Sequence, residues 1–237
     1  MKENKKNQET LNKDFKEPKL RFNEFTKSWY SAKINNLVCS EKYAFTGGPF
    51  GSNLKVSDFT TSGVRVIQLN NIGDIYFNND NKTFVSESKA NELNSCNAYP
   101  GDIIFAKMMP AGRACVLPEI YKRYLLGSDA IRCKLDLNKC DLFFFLENIN
   151  RISFRNFIAS KTTRKRIGLP ELRNLTLLIP EIQEQRKIGK IFSIIEEKLN
   201  VTNKIITTLK KYRKGIVNKW FSNNEITINF DNLVVNK

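Results

Sequence analysis

Histidine is absent from the 237 residues, and acidic side chains are outnumbered, 24 Asp and Glu against 39 Lys and Arg. Without histidine there is no Ser-His or Cys-His nucleophile pair, no imidazole metal ligand and no usual general base. The absence argues against many enzymes, though not against those built on carboxylates and lysine. Cysteine is sparse: Cys39, Cys96, Cys115, Cys133 and Cys140 are odd in number, scattered, and form no C-x-x-C. That pattern supports neither a disulfide framework nor a zinc site, and predicts small buried residues in a reducing compartment. No apolar run reaches the roughly 18 residues of a membrane span, and the opening MKENKKNQET leads into no apolar stretch. No membrane association or secretion is predicted, and a cytoplasmic location is expected.

What is present is positive charge and a core. The formal net charge is +15, which attracts polyanions, nucleic acid first among them. A hydrophobic fraction of 41%, with 17 Phe, is enough to build a packed interior.

The most informative stretch lies near the end. Ile188, Phe192, Ile195, Leu199, Thr202, Ile206, Leu209, Arg213, Ile216 and Trp220 alternate strictly in steps of four and three. This heptad seam is the pattern of a coiled coil. At 1.5 Å per residue it spans roughly 50 Å, longer than an amphipathic helix lying on its own domain needs. The chain has no second copy of it, so the expected partner is another molecule. Thr202 and Arg213 interrupt the seam, as polar residues that fix register and partner number do.

Residues 1–17 are a Lys/Glu/Asn tail, expected to be disordered. Order should begin near Pro18-Lys19-Leu20-Arg21-Phe22, with Phe25 and Trp29 as the first core anchors. Short segments rich in β-branched and aromatic residues follow: Gly63 to Leu69, Asp74 to Phe77, Asp102 to Ala106 and Ala130 to Leu135. Turn residues separate them, and they read as strands. Residues 141–159 read as a helix on that sheet, and Leu175 to Ile179 as a last strand halted by Pro180. The fold class is α+β: a β-rich domain at 18–178, a long helix at 179–222, and a tail at 223–237.

Three motifs carry candidate chemistry. The glycine-dense loop Gly47 to Lys55 lacks the P-loop spacing. Either it simply connects two elements, or it offers backbone N–H groups, Gly51, Ser52 and Lys55 to a phosphate chain. Arg151, Arg155, Lys161, Arg164, Lys165, Arg166 and Arg173 are opposed only by Glu171. The centre of this run, Lys161, Thr162, Thr163, Arg164, Lys165 and Arg166, mixes hydroxyls with cations and points to phosphate contact over a solvated loop. Lys107 and Arg113 are further candidates. Asp74 with Glu87 and Lys89 imitates a metal-dependent nuclease layout, a spacing that a charge-rich chain produces by chance.

Together these residues resemble the specificity (S) subunit of type I restriction–modification systems. The matching elements are Pro18-Lys19-Leu20-Arg21-Phe22 with Trp29, Gly48-Pro49-Phe50-Gly51-Ser52-x-Leu54-Lys55, Gly63 with Asn71-Ile72-Gly73, and Pro100-Gly101-Asp102-Ile103-Ile104-Phe105. The strongest is Leu169-Pro170-x-Leu172 through Ile179-Pro180 to Glu184-Gln185-x-x-Ile188, then the long helix with Lys214-Gly215. The departure is size, because family members usually carry two target recognition domains and two such helices, and here there is one of each.

The resemblance implies a non-catalytic subunit that reads double-stranded DNA. It would dock methyltransferase (M) subunits and, where present, restriction (R) subunits. S-adenosylmethionine, Mg and ATP would reside on those partners, with no cofactor on this chain. The domain at 18–178 would be the target recognition domain, and the helix would pair antiparallel with its twin in a homodimer. Two further classes stay open: a stand-alone dimeric DNA-binding regulator or decoy, and a nuclease acting through Asp74, Glu87 and Lys89.

Overall fold

The computed structural model describes residues 18, 20–108, 111–151 and 166–221. The tail at 1–17, the far part of the helix expected at 141–159, Lys161, Thr162, Thr163, Arg164 and Lys165, and the terminal 223–237 lie outside the described residues.

Ile103–Ala106 is a strand whose four side chains are all buried, and its alternate residues enter two different cores. Ile103 and Phe105 join one cluster with Phe145, while Ile104 and Ala106 join another with Val66 and Tyr124. A period of two in a strand covered on both faces requires this division, and explains an apolar run without alternation.

Twelve strands are described. They are β1 (Tyr30–Lys33), β2 (Phe45–Gly47), β3 (Phe59–Thr60), β4 (Val64–Ile67), β5 (Ile75–Tyr76), β6 (Phe84–Val85), β7 (Asn97–Ala98), β8 (Ile103–Ala106), β9 (Ala114–Val116), β10 (Tyr124–Leu126), β11 (Ala130–Cys133) and β12 (Thr176–Ile179). The helices are α1 (Glu87–Glu92), α2 (Leu142–Asn150), α3 (Leu169–Asn174) and α4 (Ile182–Phe221). One sheet has the order β2-β11-β8-β9-β5 and the other β3-β6-β4-β10-β7, while β1 and β12 form a separate antiparallel pair. The second sheet covers one face of β8, and α2 covers the other, Phe145 meeting Phe105 edge-on at 6.2 Å.

Two buried arginines pin this sandwich. Arg132 on β11 donates from Nε to Asp102 at 2.6 Å and also reaches the Tyr43 and Asn97 carbonyls. Burial raises the Asp102 carboxyl above its ordinary range, against the opposing pull of Arg132. Arg65 on β4 is fully buried between the Phe77 and Phe84 rings, and its guanidinium donates to the carbonyls of Val66, Thr83 and Asp80. With Asn71, which donates to the Asn78 and Asp80 carbonyls, it holds the loop 78–83 from inside. Burial pushes the thiols of Cys96, Cys115, Cys133 and Cys140 up, Cys115 to about 12, so they remain neutral packing residues.

The most specific sequence motif turns out to be a latch. Glu184, fully buried on the first turn of α4, accepts from Arg21 Nε at 2.9 Å, Arg21 Nη2 at 2.7 Å and Trp29 Nε1 at 3.3 Å. Gln185 beside it accepts from the Asp141 backbone at 3.1 Å and donates to the Pro180 carbonyl at 2.9 Å. Asp141 in turn caps α2 by accepting from Phe144 N at 3.0 Å. Gly189 completes the contact, since a Cβ there would lie 1.9 Å from the Asp141 carboxylate. Arg21, Trp29, Glu184 and Gln185 therefore bind the two ends of the domain together, alongside the β1–β12 ladder.

The chain divides into two units between Phe192 and Ser193. The second unit carries the rest of α4, a 40-residue helix about 60 Å long. Its seam is half-exposed: Ile195 is 46% exposed, Leu199 50% and Leu209 60%. Thr202 sits in that seam with its hydroxyl donating to the Lys198 carbonyl at 2.8 Å. The polar atom is thus satisfied within its own helix.

Candidate nucleic-acid interface

β2, β4, β8 and β10 all end on one side of the sandwich, because β4 and β10 run parallel and β8 and β2 both pair antiparallel with β11. Their exits are locked backbone to backbone. Gly48 N donates to the Ala130 carbonyl and Gly127 N to the Ile67 carbonyl, both at 2.9 Å. A Cβ on Gly48 would lie 1.8 Å from the Gly127 oxygen, so only glycine permits this approach. Beneath the loops lies a cavity of about 240 Å³ bordered by Leu54, Phe59, Gln68 and Asp129.

On that platform the glycine-dense loop turns outward. Asn53 N donates to the Phe50 carbonyl at 2.9 Å, closing a tight turn. Gly51, Ser52 and Lys55 are exposed, and nothing stands within 4 Å of where a Gly51 Cβ would be. Lys55 backbone N donates to the Asp58 carboxylate at 2.7 Å, fixing the loop's exit and leaving its exposed side chain outside. Phe50, 84% exposed at the tip, was not among the sequence candidates. An apolar ring held at a loop tip is the signal that cation counting missed.

Lys107 and Arg166 stand in the same cluster. The Lys107 backbone bonds the Asp129 carbonyl and the Ile167 amide, each at 2.8 Å, and its ammonium donates to the Ser128 carbonyl. Burial, then the charge of Arg166, pulls the Lys107 ammonium below its ordinary range. Arg166 pairs at 3.4 Å with Asp129 and remains half-exposed. Arg113 donates to the Leu69 carbonyl at 3.3 Å. Lys107 and Arg113 thus brace the loops, while Lys55 and Arg166 keep charge at the surface. Lys161, Thr162, Thr163, Arg164 and Lys165 precede Arg166 in sequence and are outside the described residues.

Two members of the nuclease layout are engaged in other ion pairs. Glu87 is paired with Arg123, and Lys89 lies 3.0 Å from Glu92 and 3.9 Å from Asp58. Among the described residues no group of three or more His, Cys, Asp or Glu side chains could hold a metal ion. No described helix is long and apolar enough to cross a membrane.

The described residues thus form a β domain with its strand exits gathered under outward loops, and a long helix with an exposed seam. Residues 4–211 match the sequence model of the type I restriction modification DNA specificity domain, and the chain belongs to that family. One relative, in Methanocaldococcus jannaschii, is assigned as the type I restriction enzyme MjaX specificity subunit. It is 22% identical over 167 residues, which cover 68% of this chain and 39% of that one. The HsdS subunit from Thermoanaerobacter tengcongensis superposes with a TM-score of 0.52 at 16% identity, covering 91% of this chain and 49% of that one. The S subunit from M. genitalium gives 0.57 at 21% identity, with 89% and 50% covered. A chain from a type I R-M system assembly gives 0.58 at 16%, with 89% and 48% covered. The chain therefore spans half or less of the length of these relatives, and shares their β domain and long helix.

Proposed function

We propose that this chain is the DNA-reading, non-catalytic component of a type I restriction–modification complex. The head at 18–178 lies on duplex DNA through the loop cluster. The seam of α4 pairs antiparallel with a second copy, and the helix sets the distance between two identical heads. A two-fold pair of heads reads an inverted repeat with a fixed gap. Methyltransferase subunits, and restriction subunits where present, supply S-adenosylmethionine, Mg and ATP chemistry. The observation that carries this reading is the gathering of Phe50, Ser52, Lys55 and Arg166 on one loop platform in a member of a DNA specificity family.

The test is the salt dependence of duplex binding. Phosphate contacts release counterions, so log K falls with log salt by about one unit of slope per contact. Changing Lys161, Arg164 and Lys165 to Ala should weaken binding and flatten that slope by about three units. An unchanged slope would place these cations in solvent and remove them from the interface.

A further inference from the structure

At the base of α4 the first unit leaves an apolar groove of about 680 Å³ open. Its walls include Leu20, Phe22, Trp29, Ile188, Ile191 and Phe192. Leu20 is 90% exposed there and Ile191 45%. We propose that this groove receives Trp220 from a second copy of the chain, whose helix end closes it. The proposal rests on the antiparallel reading above and adds its register.

The register follows from the seam. Ile188 and Trp220 are its two ends, so antiparallel pairing that uses every seam residue sets Trp220 of one copy against Ile188 of the other. The centre of the pairing brings Ile206 against Thr202, whose hydroxyl is already bonded within its own helix. On the flank, Glu196 falls opposite Lys210, twice by symmetry, an arrangement that opposite charges favour. A shift of one heptad in either direction loses that charge pair and strands one seam end. Parallel in-register pairing would stack Arg213 on Arg213. Charge and seam length thus select one alignment, and it carries an indole, 54% exposed in the single chain, to the mouth of an apolar groove. Trp is suited to that seat, filling an apolar slot while its N–H stays near the wet rim.

Disulfide trapping reads the register, in a Cys39→Ser background because the other four cysteines are buried. Within one helix, positions 188 and 220 are about 48 Å apart, so a disulfide between Ile188→Cys and Trp220→Cys can form only between copies. Leu199→Cys with Leu209→Cys reads the central seam alone. Both pairs should give covalent dimers on mild oxidation. If the central pair links and the outer pair does not, the groove assignment falls while the antiparallel helix stands. If neither links, both fall.

Iodide quenching supplies the second measurement. Taken as the difference between the native chain and Trp220→Phe, so that the groove keeps Trp29, the Trp220 emission should be blue-shifted and at least threefold less quenched in the dimer than after dilution to monomer. Leu20→Asp on the groove wall should restore quenching while the dimer persists. A dimer with freely quenched Trp220 overturns the proposal. So does protection that arises only when methyltransferase subunit is added, which would give the groove to that partner.

Discussion

Removing the carboxylate of Glu184 should loosen the domain far more than its position on the first turn of a helix suggests. Glu184 is fully buried and accepts three donors, two from Arg21 and one from Trp29. Glu184→Ala removes the carboxylate that accepts two bonds from the Arg21 guanidinium and one from the Trp29 indole. Truncating one member of a buried ion pair costs about 3–5 kcal/mol. The Arg21 side chain is 18% exposed and keeps its bond to the Lys27 carbonyl, so the lower end applies, about 3 kcal/mol. With a urea m-value of about 2 kcal/mol per molar, the midpoint should fall by roughly 1.5 M. Urea unfolding followed by circular dichroism measures this directly. The double variant Arg21→Met with Glu184→Met should recover most of the loss, because an apolar pair removes the stranded charge along with its partner. A loss below about 1 kcal/mol for Glu184→Ala, or a double variant as unstable as the sum of the singles, would refute the latch.

Other consequences follow from the same geometry. Gly189→Ala drives a methyl group into the Asp141 cap and should cost about 2 kcal/mol or more, read as a lowered midpoint in thermal unfolding. Phe50→Ala should leave the unfolding midpoint unchanged and weaken duplex binding about tenfold, since the ring touches solvent in the free chain and an apolar side chain can meet a thymine methyl or wedge a base step in the duplex. Deleting one heptad between Leu199 and Ile206 should change the gap in the bound sequence and leave the half-site as it was. An altered half-site would contradict the ruler.

The long helix was legible because its four-three spacing is kept over residues 188–220, through the polar Thr202 and Arg213, and needs only local periodicity. The strands at 103–106 and 130–133 were legible for the same reason, each being a short apolar run bounded by turn residues. The pairing of β1 with β12 was harder. The strands are separated by more than a hundred residues in sequence, and pairing across that distance leaves no local trace. Arg65 lies in a segment read as a strand, but its sequence gives no sign that its guanidinium is spent on carbonyls between two aromatic rings. Lys107 and Arg113 each spend a donor on a loop carbonyl, of Ser128 and Leu69, a bracing contact that sequence alone does not reveal. The Glu184-Gln185 motif signalled family membership, while its physical role with Arg21 and Asp141 emerged only from the packed fold.

The central claim is that two identical heads read DNA at a separation set by paired helices. Its most direct test is to enrich random duplex DNA on the purified chain with its methyltransferase subunit and sequence what is retained. The account predicts an inverted repeat, two identical half-sites in opposite orientation with one constant gap. A single unrepeated site, or half-sites retained at many different spacings, would contradict it.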